Sequence, residues 1–180
     1  MKNLFLSLVL VMASLVTNSQ NSIPSHIKIQ DIEKEFMSLY QKRCDSLSHK
    51  ISVDNSLLCV VECQLNYLKN FDDLFLSHRQ EKNPKFLTLI DRVMYFYPNQ
   101  TINYHPKIGE VCALLGTNDY FLKEETNVQL ATQLFNNFMK SPGHQKIMDD
   151  KDLVKVCFKV GFNKTNSVFI VGVLSEKTLN

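Results

Sequence analysis

The chain has 180 residues, of which 44% are hydrophobic and 21% are charged, and its formal net charge is +2. This length and composition are typical of one globular domain with a substantial core. The small net charge, together with the lack of basic clusters interleaved with aromatic residues, argues against nucleic acid as a partner.

The N-terminus has the pattern of a secretory leader. A positive residue precedes the apolar run from Leu4 to Val16, and small or polar residues follow that run. The run is too short to span a bilayer comfortably. We therefore predict a signal peptide over 1–19, a linker over 20–30, and one domain over 31–180. The mature protein is expected to be secreted (extracellular, or periplasmic in a bacterium) without a membrane span. An uncleaved N-terminal anchor is the alternative.

Cysteine usage leaves the disulfide state open. Because the number of cysteines is odd, at least one has no intrachain partner. Cys59 and Cys63 lie four residues apart on a predicted helix, a spacing that suits contact better than a disulfide. Cys112 and Cys157 lie in strand-like runs and are the first pair to test for a disulfide, but for most of the set we expect buried, inert thiols. The five cysteines are Cys44, Cys59, Cys63, Cys112 and Cys157.

Apolar residues recur at three- and four-residue steps in several segments, which predicts amphipathic helices. Asp54 is a suitable N-cap for the second helix, and Pro84 suits the first position of the third. The predicted helices cover 31–46, 55–71, 84–90 and 128–139.

Other segments are rich in β-forming residues. The last two form a hairpin, because an alternating strand turns near 163–167 and returns. The predicted strands cover 93–97, 108–115, 154–162 and 168–174. This order of elements predicts an α+β fold, a three-layer α–β–α sandwich in which helices cover both faces of a small, mostly antiparallel sheet.

The segment Lys140-Ser141-Pro142-Gly143-His144 breaks one helix and starts another. Ser141 is a good N-cap and Pro142 suits the first helical position. His144 would then lie at the third position, where the helix dipole disfavours a cation and keeps the imidazole neutral, as a metal ligand must be. A capped turn whose histidine only packs is the alternative.

Three polar residues, His78, Glu110 and His144, lie in otherwise apolar surroundings. If they converged, they would form a metal site with an open position, or an acid/base group without a metal. Taken singly, His78 could be a solvated loop residue, Glu110 could pair with Arg92, and His144 could simply pack. Sequence spacing alone does not show whether they converge.

The order of these residues resembles that of the CAP superfamily, which includes cysteine-rich secretory, antigen-five and pathogenesis-related-one proteins. The likeness rests on Ser77-His78, on Gly109-Glu110, and on the aromatic helix end followed by Ser-Pro-Gly-His at 141–144, with a strand hairpin after it. It is closest to the short bacterial-type members and covers residues 32–174.

The resemblance implies a three-layer sandwich in which His78, Glu110 and His144 line one cleft. It also implies that the two histidines hold zinc or another divalent ion. The expected function is then a secreted, non-catalytic binding domain whose ligand is a protein, a lipid or sterol, or a cell-surface component. Alternatives are a metal-assisted hydrolase with Glu110 as its catalytic general base, and an interaction module with a vestigial cleft.

The sequence departs from the family pattern at several positions. Val111 stands where the family usually has asparagine, and Ser141 stands where a second cleft glutamate often lies. These departures weaken any acid/base role that needs two carboxylates. Glu124 or Glu125 could supply the missing carboxylate, and His105 is a lower-ranked further ligand.

Overall fold

The computed structural model describes residues 23–71, 74–100, 106–117 and 119–179. The predicted signal peptide and His105 therefore lie outside the described residues. Among the described residues, no helix has both the length and the apolar character needed to cross a bilayer.

The helices of the described chain begin at side-chain caps in several cases. Thr88 and Asp91 cap each other's backbone at the start of the third helix, and Thr126 and Gln129 do the same at the fifth. Asp54 accepts from the backbone of Ser56 at the turn that leads into the second helix. The helices are α1 (Ile29–Ser46), α2 (Leu58–Lys69), α3 (Leu89–Phe96), α4 (Asp119–Glu124), α5 (Asn127–Met139) and α6 (Pro142–Met148).

Four strands form one sheet in the order β1-β3-β4-β2, so β4 is central and β2 lies at one end. The short β1 runs parallel to β3, and the other pairings are antiparallel. The predicted mostly antiparallel sheet is therefore confirmed, with one parallel strand added. The strands are β1 (Ser52–Val53), β2 (Ile108–Leu115), β3 (Lys155–Phe162) and β4 (Val168–Ser175).

Each face of the sheet is covered by helices, which confirms the predicted three-layer α–β–α sandwich. Because side chains alternate along a strand, Val111 and Phe158 face a core formed with α1, α5 and α6. Cys112, Cys157 and Val171 face a second core formed with α2 and α3. Two separate apolar cores thus hold the sheet from opposite sides.

The segment 93–97 was predicted to be a strand, and this prediction is wrong. Residues 93–96 form the second half of α3, and the helix starts at Leu89 rather than at Pro84, which instead opens a 3-10 turn. The capping box at Thr88 fixes the start of the helix, and the next turn buries Arg92 and Val93. In so short a segment these local bonds outweigh the β propensity of the side chains.

All five cysteines are free thiols, and Cys44, Cys112 and Cys157 are buried, so the expectation of buried thiols for most of the set is confirmed and the tested pair Cys112–Cys157 forms no disulfide. Cys112 pairs across the sheet with Val171, and Cys157 pairs with Val173. Strand β4 therefore separates the two cysteines by two strand spacings, and their register is offset by two residues, which places their Cα atoms about 12 Å apart. A disulfide needs a Cα separation below about 7 Å.

Candidate functional site

The structure brings His78, Glu110 and His144 together at the β2 end of the sheet. Nδ1 of His78 lies 3.1 Å from Oε1 of Glu110, and its Nε2 lies 3.2 Å from Nε2 of His144. The two imidazole rings are 5.4 Å apart at an angle of 57°. The imidazole ring of His78 thus contacts the buried carboxylate of Glu110 through one nitrogen and the imidazole of His144 through the other.

Glu110 is held in place by two partners. Its side chain is 3% exposed on β2, and Nη2 of the fully buried Arg92 donates to Oε2. Arg92 also donates from Nη1 to the carbonyl of Phe86 over 3.2 Å. Because a carboxylate only accepts, His78 must donate from Nδ1, and in the neutral ring the lone pair of Nε2 is then directed at His144. The pairing with Arg92 that the sequence allowed is therefore present alongside the contact with His78.

Gly109 explains how helix α6 comes close enough to β2 for His144 to reach this cleft. A Cβ atom at position 109 would lie 2.6 Å from Cγ2 of Ile147, one turn along the helix from His144. Only glycine allows this approach without displacing the isoleucine side chain. The Gly-Glu dipeptide therefore combines close helix packing with a buried carboxylate.

His144 lies at the start of α6, as predicted, with Ser141 at the N-cap and Pro142 at the first position. Its ring packs edge-on against Phe138, with centroids 5.3 Å apart. Burial of the ring lowers the pKa of His144 below its ordinary value, and charge on His78 lowers it further. The direction agrees with the neutral imidazole predicted from the sequence. The largest cause of the lowered pKa is burial of the ring.

A deeper group of donors was not anticipated from the sequence. Ligand atoms of His78, Glu110 and Cys112 all lie within 4.8 Å of one another, so this group could hold a metal ion. Two features weigh against it. Arg92 already offsets the charge of Glu110, and burial raises the pKa of the Cys112 thiol well above its ordinary value. Alternation along β2 places residues 110 and 112 on one face, and this was the sequence signal that could have revealed the group.

The two histidines of the cleft also have a separation that a metal ion could bridge. Two zinc–nitrogen bonds of about 2.1 Å at a tetrahedral angle place the nitrogens about 3.4 Å apart, close to the observed 3.2 Å. The contact from His78 Nδ1 to Glu110 is the usual carboxylate–histidine arrangement behind a metal ligand. The same separation also fits a hydrogen bond from His144 to His78, so a zinc titration distinguishes the two.

The proposed substitute carboxylates lie elsewhere. Glu125 precedes helix α5, where its side chain accepts from Gln133 and its carbonyl meets His26. His144 follows the opposite end of that 13-residue helix, which is about 20 Å long. Glu124 is exposed beside Glu125. Neither glutamate replaces the missing cleft carboxylate.

Comparison with known proteins gives a likeness in fold. The sequence matches no protein-family model and no curated protein. The structure is similar to that of an outer surface protein from Borrelia burgdorferi. The TM-score is 0.61, and the alignment covers 83% of this chain and 95% of that one. At 15% identity this similarity shows a shared fold only.

Proposed function

We propose that this chain is an extracellular binding domain of the CAP type that holds a divalent ion, with zinc the best fit, between His78 and His144. The observation that carries the proposal is the pair of imidazoles whose Nε2 atoms lie 3.2 Å apart. Neutral imidazole is a common ligand of zinc, and burial favours the neutral form of His144.

Glu110 fits the role of an orienting residue better than that of a general base. One of its oxygens accepts from His78 and the other from Arg92. Both oxygens therefore already accept from a protein donor, and the 3% exposure of the side chain limits access of water to the carboxylate. The geometry therefore supports a metal-binding cleft over a hydrolase that uses Glu110.

The surroundings of the cleft support a binding role in an extracellular setting. The segment that carries His78 exposes two large apolar side chains, Leu74 and Leu76, which are 67% and 40% accessible. The structural neighbour is described as an outer surface protein, and we extend that location to this chain as part of the proposal. An extracellular protein, a lipid or sterol, or a cell-surface component is the proposed class of ligand.

Calorimetric titration of zinc into tag-free protein tests the metal site. We expect one zinc ion per chain for the wild type, and a loss of at least about tenfold in affinity for His78→Ala/His144→Ala, because both nitrogen ligands are removed. His26→Ala is the matched control, since this exposed histidine contacts the Glu125 carbonyl at a distance from the cleft. Equal zinc binding by the double variant and the wild type would remove the proposed site.

A further inference from the structure

The segment that carries His78 has no regular secondary structure, yet its backbone is tied down on both sides of the histidine. The Ser77 hydroxyl donates to the carbonyl of Arg79 and accepts from its N–H, both over 3.0 Å. This closes a short loop around His78. The N–H of Gln80 then donates to the carbonyl of Leu87 over 2.9 Å, which fixes the end of the loop near helix α3.

Two buried glutamine side chains connect this loop to helix α2. Nε2 of Gln64 donates to the carbonyl of Ser77 over 2.5 Å. Nε2 of Gln80 donates to Oε1 of Gln64 over 3.1 Å and to the carbonyl of Cys63 over 3.2 Å. The side chains thus form one continuous network, with one anchor just before His78 and the other two residues after it.

The position of this network is unusual for polar side chains. Gln64 is fully buried and Gln80 is 1% exposed. Along α2, Gln64 lies in the same stripe as Val61, Leu65 and Leu68, which belong to an apolar core. A buried amide pair gives little net stability over apolar side chains of the same shape, but it specifies one conformation of the groups it joins.

We infer that Gln64 and Gln80 are positioning residues for His78. Their amides hold the loop 77–80 on α2 so that the His78 ring meets Glu110 through Nδ1 and His144 through Nε2. The inference rests on the proposed metal cleft for its effect on zinc, but the orientation of the ring can be measured without metal.

The test uses the double variant Gln64→Met/Gln80→Met, which removes both amides together so that neither is left unpaired. Methionine fills a similar volume, and Ser77 is only partly buried, so water can reach its carbonyl. The control is Gln41→Met, an exposed glutamine on α1 whose amide donates to Asp45. For the wild type and for each variant we measure zinc affinity and urea unfolding in the presence of chelator. We also determine the tautomer of His78 in the metal-free protein from long-range 1H–15N spectra.

In the metal-free wild type and in Gln41→Met, we expect His78 in the single tautomer protonated at Nδ1. In the double variant we expect a mixture of tautomers, a roughly 10- to 100-fold weaker zinc affinity, and a urea midpoint close to that of the wild type. If the double variant does not fold, Gln64→Asn, whose shorter amide cannot reach Ser77, is judged by the same criteria.

The outcomes separate this inference from the proposed function. A fixed tautomer in the variant, or an averaged tautomer in the wild type, overturns the positioning role whatever the zinc data are. A wild type that has the fixed tautomer but does not bind zinc overturns the metal site and leaves the positioning role supported.

Discussion

The two imidazoles of the cleft are positioned in different ways. His78 lies on an irregular loop, and its ring is backed by Glu110 and the buried Arg92. His144 lies on a helix that is anchored through packing against Gly109 and through contacts at its C-terminal end. Local polar contacts therefore specify the first ring, whereas the placement of a whole element specifies the second. Removing a single polar group should therefore abolish the orientation of the His78 ring, whereas changes around helix α6 should displace the His144 ring only by degrees.

The largest expected effect comes from breaking the buried ion pair behind His78. Arg92→Met leaves the Glu110 carboxylate buried without its cation, so we expect the free energy of unfolding to fall by about 3–5 kcal/mol. Urea unfolding at neutral pH measures this loss. The second change Glu110→Gln, which removes the unpaired charge, should restore much of it.

The ion pair between Arg43 and Asp149, beside the helix that carries His144, is a more exposed counterpart of the Arg92–Glu110 pair. Arg43 of α1 and Asp149 at the end of α6 form a two-bond contact, but their side chains are 32% and 23% exposed. Arg43→Met should cost no more than about 1 kcal/mol, because water solvates the remaining partner. Equal losses for Arg92→Met and Arg43→Met would contradict the proposed difference between the two regions.

Gly109→Ala is expected to lower the free energy of unfolding by an intermediate amount. The new Cβ would press on Ile147 and push α6 away from β2, which should cost about 1–3 kcal/mol and weaken zinc binding through His144. Urea unfolding and zinc titration measure the two effects. In a double-mutant cycle with Ile147→Ala, the two changes should compensate each other, because the truncated side chain leaves room for the new methyl group. Simple additivity would show that this contact does not set the helix position.

A smaller effect is expected at the far end of α6. The buried Tyr40 hydroxyl donates to the carbonyl of Met148 over 2.7 Å. Tyr40→Phe removes this bond with little change of shape, so we expect a loss of about 1 kcal/mol in urea unfolding. Tyr95, a residue that is 48% exposed, provides the control, because Tyr95→Phe should leave the free energy of unfolding almost unchanged. A larger loss for Tyr95→Phe would contradict the assignment of this anchor.

The smallest effect concerns the exposed contacts after α6, where Lys107 bridges Asp150 and Asp152. The hydrogen bond from Lys107 lowers the pKa of Asp150 below its ordinary value. This pair therefore stabilises the fold above the unfolded-state pKa of about 3.9, and the stabilisation is lost as the pH falls through the lower folded-state value. The stability difference between wild type and Lys107→Met should be complete near pH 6 and should fade below about pH 4. Urea unfolding across that range checks this, and a difference that grew in acid would contradict it.

Much of the fold could be predicted from the sequence because its signals are local. Helices α1 and α5 have regular apolar stripes, and the alternation in β3 and β4 reveals the hairpin. The order of strands is not a local property, and for this reason the sequence could not show that β4 separates Cys112 from Cys157. A short run such as 93–97 is ambiguous between helix and strand until the capping box at Thr88 is recognised.

The candidate site was predictable in its members but not in its supports. Their apolar surroundings in the sequence singled out His78, Glu110 and His144, the family resemblance implied that they share a cleft, and the structure brings them together. The glutamines behind His78 were missed, because glutamine on a helix usually indicates a solvated face and Gln80 lies in a polar, irregular segment. The available signal was the position of Gln64 inside the apolar stripe of α2, where a polar side chain needs a buried partner.

The strand order has a consequence for how this protein is made. The central strand β4 is buried along its whole length, and it is the last strand in the sequence. Because synthesis proceeds from the N-terminus, β2 and β3 have no partner between them until residue 175 has left the ribosome. The sheet therefore cannot close before its last strand has been synthesised, and until then the facing edges of β2 and β3 stay without their partner.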